Sequence, residues 1–284
     1  MFIRYARRFR RRYRRLVQLL RYRRLTLEGI PLLFANSFPK SGTHLLTQVL
    51  SGFSKLGPAV DSGMPAIVTF DGRSGRQRSG SEILTNLQGL LPGDIAYGHI
   101  HAYPKAVDFL GQDGVAAFFI YRDPRDVVLS HVHYITEIEP NHIHHRYYVE
   151  VLQSFNERLR TSITGLSNSN LPFPNINIRF QPYLDWLNQS TVLSIQFESF
   201  VNDRDKTLYQ VYDHAVERGF PETVRRDEAV HILSMGINPK RSPTYRSGET
   251  GGWKTQFNEE NKRLFKEVTG DLLIRLGYEE DNDW

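Results

Sequence analysis

The 284-residue chain contains no cysteine, which excludes disulfide staples, thiolate metal sites and a cysteine nucleophile. It also lacks any apolar run near the roughly 20 residues that a bilayer-spanning helix needs. Acidic residues are missing from residues 1–24, which hold 11 of the 36 Lys and Arg. The other 25 basic residues face 31 acidic ones, so residues 25–284 carry a formal −6 and the overall +5 belongs to the tail. A strongly basic catalytic domain is thereby excluded. What remains, with 40% hydrophobic and 24% charged residues, is a folded composition long enough for one large α/β domain.

The tail interleaves arginine with apolar residues, and Phe2, Tyr5, Phe9, Tyr13, Leu16 and Leu20 recur at helical spacing. Such a segment suits a basic amphipathic helix on an anionic membrane, a contact with nucleic acid or an anionic polymer, or a solvated extension. Its long charged start and short apolar stretch do not fit a secretory leader. The expectation is a cytoplasmic chain with a basic extension over residues 1–28 and a single domain over 29–284. The extension is expected to contact an anionic membrane peripherally, with no nucleic-acid partner.

Leu32, Leu33, Phe34 and Ala35 form an apolar run that ends in Ser37-Phe38-Pro39-Lys40-Ser41-Gly42-Thr43. Leu45, Leu46, Val49, Leu50 and Phe53 then recur with helical period, which predicts strand, tight loop and helix. The first N–H groups of such a helix have no partner and the helix dipole favours negative charge, so the loop predicts a site for phosphate or a similar oxyanion. Lys40 adds a cation, and Ser41 and Thr43 add hydroxyl donors. A Walker A loop carries its lysine after the second glycine, whereas Lys40 precedes the only glycine of this loop.

Two further segments end at chemistry-bearing residues. Val115–Tyr121 is a continuous apolar run of the kind buried on both faces of a parallel sheet, followed by Asp123 as helix cap and Pro124 as first helical residue. Arg122 at that strand end and Ser130 two turns into the helix can reach one anion at the same sheet edge. Asp94–His101 reads as a short strand ending in histidines, and an imidazole beside an anion loop suits a general base. His99 is the expected base, with His101 in reserve. Strands near 31–36, 95–100, 115–121 and 191–197 alternate with helices, so a parallel, doubly wound α/β sheet is expected.

Pro39-Lys40-Ser41-Gly42-Thr43 and the run Tyr121-Arg122-Asp123-Pro124-Arg125-Asp126-Val127-Val128-Leu129-Ser130 resemble the two phosphate motifs of sulfotransferases that use 3′-phosphoadenosine 5′-phosphosulfate (PAPS). Gly98-His99-Ile100 is similar to that family's base segment, and Arg246-Ser247-Gly248-Glu249-Thr250-Gly251-Gly252-Trp253-Lys254 to its C-terminal loop. The resemblance spans about residues 32–275 and implies a P-loop-like sulfotransferase fold with PAPS as donor and no metal. It implies that Lys40, Ser41, Gly42, Thr43, His44 and Leu45 hold the 5′-phosphosulfate, with Lys40 also stabilising the leaving phosphate and His99 as base. Arg122, Ser130, Arg246, Ser247 and Gly248 would hold the 3′-phosphate. Phe197 either stacks on adenine or is a core phenylalanine. Five positions depart from the family pattern: Tyr97 and Ser247 stand where lysine is usual, Gly252 where aspartate is, His44 where threonine is, and Asp123 where many members have asparagine.

The implied acceptor is a hydroxyl or amine of a glycan, glycolipid or small alcohol, in a pocket shaped by residues 57–82, 136–146 and 167–182. Residues 57–82 read as a mobile Gly, Ser and Arg-rich surface segment and 167–181 as a loop. His131, His133, His142, His144 and His145, with Glu137 and Glu139, match no zinc signature; a pocket wall or a solvated helix end is expected instead. The alternatives are a P-loop-type phosphoryl transferase, which would need the missing Walker lysine, and a non-catalytic nucleotide-binding module recruited to membranes.

Overall fold

The computed structural model describes residues 2–167, 172–242 and 248–284. Its strands are β1 (Leu32–Ser37), β2 (Val60–Asp61), β3 (Ile67–Val68), β4 (Asp94–His99), β5 (Val115–Tyr121) and β6 (Val192–Gln196). The helices are α1 (Phe2–Arg21), α2 (Thr43–Leu56), α3 (Gly80–Gln88), α4 (Pro104–Gly111), α5 (Pro124–His133), α6 (Phe155–Thr164), α7 (Ile176–Phe180), α8 (Phe197–Asn202), α9 (Arg204–Glu217), α10 (Arg226–Met235), α11 (Trp253–Gln256), α12 (Glu259–Thr269) and α13 (Leu272–Arg275).

The strands pair in parallel in the order β2-β4-β1-β5-β6, with β3 pairing the far end of β4. Alternation along β1 explains its unbroken apolar run. Leu33 and Ala35 pack with α2, α9 and α10 on one face, and Leu32 and Phe34 with the helices on the other. The chain leaves β1 toward β4 and returns past it to β5, so β1 is the topological switch point. Ligands of such sheets lie outside the carboxyl ends of the strands at that point. Ser37, His99, Tyr121 and Gln196 end their strands at this edge.

Three segments differ from the sequence reading. Residues 57–82 hold β2 and β3, which pair with β4, and Ser79 and Glu82 form a capping box that starts α3. The helical period over 146–164 is split into a π-helical turn, Tyr147–Val151, and α6, because a second capping box, Ser154 with Glu157, restarts the helix. The stretch read as a loop after residue 166 contains α7, capped by Asn175.

The basic extension is a helix, α1, and three of its arginines reach carboxylates of the domain. Arg11 and Arg15 pair with the fully buried carboxylate of Asp94 at the start of β4, the latter at 3.1 Å, and Arg14 pairs with Asp61 at 2.7 Å. Tyr22 adds a hydroxyl bond to the Lys55 carbonyl (2.9 Å). A solvated, unattached tail is therefore not what these residues form. The apolar positions Phe9, Tyr13, Leu16, Val17 and Leu20 face solvent, with Phe9 and Leu20 more than 70% exposed. Among the described residues no helix is long and apolar enough to cross a membrane.

Candidate active site

The loop between β1 and α2 is built as an anion nest. Gly42, the N-cap of α2, has φ +95° and offers no side-chain cap, and Lys40 has φ +70°. A Cβ on Gly42 would lie 2.6 Å from the Phe197 ring, so glycine is required both by φ and by space. Among the described residues no backbone carbonyl accepts from the amides of Thr43, His44 and Leu45. The Ser41 hydroxyl is fully buried and unpartnered there. Open donors at a helix start are the arrangement by which proteins can hold an anion.

Lys40 lies in this loop with its ammonium 4.0 Å from the centroid of the Tyr134 ring. Burial, reinforced by the Arg122 charge, lowers its pKa to about 7. His44, in the first turn of α2, is likewise lowered, first by burial and then by Lys40.

At the end of β4, Nδ1 of His99 lies 3.1 Å from the Ser37 carbonyl and 3.0 Å from the Ser37 hydroxyl. A carbonyl only accepts, so Nδ1 carries the proton and Nε2 the lone pair. The Ser37 hydroxyl is in turn 2.8 Å from that of Thr43, which ties the imidazole to the first residue of α2. Burial pushes His99 down to about 4, with its Ser37 bond opposing and the His44 and Lys40 charges reinforcing, so the ring is neutral at pH 7. His101, the reserve, is also lowered to about 4 by burial, lies 3.3 Å from the Tyr103 hydroxyl and packs edge-on against Tyr183.

Arg122 leaves β5 over the Phe197 ring (4.7 Å) and donates to the Glu249 carbonyl at 2.6 Å, while its buried Nε has no partner among the described residues. Phe197 is 7% exposed and wedged between Gly42 and Arg122, so it joins the two motifs from the core side. Ser130 and Gly248 line the same cavity as Arg122. Arg246 and Ser247 lie outside the described residues.

Sequence reasoning passed over Asp126. Its carboxylate accepts from the amides of Gly251 (2.8 Å) and Trp253 (3.1 Å) and from Arg122 (3.3 Å), fastening the C-terminal loop to the start of α5. The residue lies inside the recognised motif, but its loop partner is 125 positions away. Glu198 is structural: it accepts from the Asp123 amide and the Tyr278 hydroxyl.

The β1–α2 loop, Arg122 and the His99 imidazole open on one cavity of about 1600 Å³. It is also lined by residues from all three segments expected to shape a pocket, among them Phe70, His142 and Phe173. The histidine-rich stretch divides. His131 and His142 line the cavity and His144 is buried beside them, whereas His133 pairs with Glu137 near the surface. A solvated helix end is thus not what most of it forms. Among the described residues no three His, Asp or Glu side chains converge as a metal site.

This geometry defines a class: a parallel α/β sheet with the fold of sulfotransferases, with the β1–α2 loop and Arg122 at its switch point. No family model matches the chain, and no curated protein matches it in sequence. Solved structures share the fold. A mouse sulfotransferase, SULT7A1, complexed with PAP matches at TM-score 0.58 and 19% identity, over 89% of this chain and 91% of that one. Retinol dehydratase in complex with retinol and PAP matches at TM-score 0.57 and 15% identity, over 85% and 81%. The same enzyme with androsterone and inactive cofactor PAP matches at 0.56 and 15%, over 85% and 80%.

Proposed function

We propose that the chain is a PAPS-dependent sulfotransferase that moves a sulfuryl group to a hydroxyl or amine held in the same cavity. The observation that carries this is the convergence of the open α2 amides, the Arg122 clamp and the neutral His99 on one cavity. The fit of the donor is supported by atoms that lack partners: the buried Ser41 hydroxyl and Arg122 Nε point to two separate anionic groups. PAP in the neighbouring structures supports the same donor.

When bound, PAPS supplies a sulfuryl group activated by its phosphate leaving group. In this reading the amides of Gly42, Thr43, His44 and Leu45, with Ser41 and Thr43, hold the 5′ end, and Arg122, Ser130, Gly248 and the undescribed Arg246 and Ser247 hold the 3′-phosphate. Phe197 supports the clamp beside the adenine. His99 Nε2 accepts the acceptor proton as the new oxygen–sulfur (or nitrogen–sulfur) bond forms, and Lys40 carries the charge left on the departing phosphate oxygen. Donor binding brings negative charge beside Lys40 and His99 and raises both pKa values toward their working range.

The acceptor is a small alcohol, a glycan or a glycolipid, and the aromatic lining together with retinol and androsterone in the neighbours favours the first. A phosphoryl transferase of the Walker type is disfavoured because the only loop lysine precedes Gly42. The outward apolar stripe of α1, flanked by arginines, supports peripheral contact with an anionic membrane. The test of the function is transfer of label from ³⁵S-PAPS to a panel of alcohols, phenols and amines, with PAP binding measured alongside. Absence of PAP binding refutes the donor assignment.

A further inference from the structure

The cavity wall contains a guanidinium that pairs with no acidic side chain among the described residues. Arg179 of α7 lines the cavity, and its Nη2 donates to the Ser162 carbonyl at 2.6 Å, its one hydrogen bond among the described residues. Its Nε is buried without a partner, and among the described residues no carboxylate pairs with it. The guanidinium lies 4.3 Å from the centroid of the Phe173 ring, which His131 also stacks on, at 4.8 Å and 2° between planes. Burial lowers Arg179 to about 10, offset only in part by the Tyr148 phenol, and among the described residues no carboxylate adds to that offset. A guanidinium has five N–H donors in a fork matched to carboxylates and similar oxyanions, and leaving it buried and unpaired is costly.

The position of this charge matters. Lys40 rests on Tyr134, Tyr134 touches His142 (6.0 Å between rings), His142 touches His131 (6.4 Å), and His131 shares Phe173 with Arg179. One aromatic wall thus runs from the loop lysine to the buried arginine. Three of the four carboxylate residues on the cavity are engaged with other groups: Glu139 with Arg73, Asp126 with the C-terminal loop, and Asp71 with the amides of Arg73 and Ser74; the fourth, Glu249, belongs to the C-terminal loop itself.

We infer that the acceptor carries an oxyanion substituent, a carboxylate or its sulfonate or phosphate equivalent, which pairs with Arg179 at one end of this wall while its nucleophilic group lies at the His99 end. The inference rests on the sulfotransferase reading for what happens to the nucleophile, but the anion site stands on Arg179 alone.

Calorimetry at pH 8 with 4′-hydroxybiphenyl-4-carboxylate and its neutral amide, on free and PAP-loaded protein, tests it. The expected result is at least about tenfold tighter binding of the carboxylate. Arg179→Gln, which keeps an N–H for the Ser162 carbonyl, abolishes that preference without moving the PAP affinity, and Arg179→Lys retains part of it. Equal affinities, no binding of either probe, or a preference that survives in Arg179→Gln overturns the inference. Should PAP fail to bind, the donor reading falls, while the preference in the PAP-free protein still decides the role of Arg179.

Discussion

The ring of His99 is held by Ser37: the carbonyl at 3.1 Å accepts a hydrogen bond from Nδ1–H, and this leaves the lone pair on Nε2. A strand-end backbone carbonyl thus sets the tautomer a base requires. Replacing His99 by Ala lowers kcat by about 100-fold to 10,000-fold, the usual worth of general base catalysis, and leaves PAP affinity within about threefold. His101→Ala leaves kcat within about threefold. Steady-state kinetics beside calorimetry separates the two; undiminished transfer in both variants contradicts the assignment of either histidine.

Lys40 is lowered to about 7 by burial and by Arg122. An anion bound in the loop raises that pKa, so its contribution to affinity is full below about pH 7 and declines as pH rises above it, by up to about tenfold per pH unit. PAP dissociation constants measured from pH 6.5 to 9 in the wild type and in Lys40→Arg check this. The arginine variant, which does not titrate there, follows a flatter course above pH 7.

Gly42 has φ +95° and no room for a Cβ beside Phe197. Gly42→Ala is expected to cost about 1–3 kcal/mol of backbone strain and to weaken PAP binding at least about tenfold. Gly42→Ala with Phe197→Leu relieves the contact but not the strain, and recovers only part of the melting temperature.

Asp126 accepts from two amides of the C-terminal loop. Asp126→Ala leaves these and Arg122 short of an acceptor, at about 1–3 kcal/mol for a buried unmet donor. Hydrogen exchange at Gly251 and Trp253 rises, and PAP affinity falls with it.

The strands were legible because burial on both faces writes itself as an uninterrupted apolar run, as in Leu32–Ala35 and Val115–Tyr121. The β1–α2 loop was legible because a tight strand-to-helix turn demands glycine at Gly42, whereas Lys40 and Arg122 stood out only through the motifs they share with sulfotransferases. Asp126 and Arg179 were not, since their roles arise from loops and helices far off in the chain. The tail shows the remaining limit. Its amphipathic period was readable, but which face turns inward is decided by Asp94 and Asp61, whose carboxylates draw in the arginines.

That reversal leaves Leu16 and Leu20 outward, 54% and 71% exposed. Sedimentation with phosphatidylcholine vesicles containing phosphatidylserine is expected to carry the protein down, less so at high salt. Leu16→Asp with Leu20→Asp abolishes this binding and leaves PAP affinity unchanged.

The central claim is that the β1–α2 loop presents a sulfuryl donor to an acceptor activated by His99. Its most direct test is the transfer of ³⁵S from PAPS to acceptor by the wild type and by His99→Ala under single-turnover conditions, with PAP binding measured on both. The account predicts a labelled acceptor in the wild type, at least about 100-fold slower labelling in the variant, and PAP affinities alike. A protein that binds no PAP, or a variant that transfers as fast as the wild type, contradicts it.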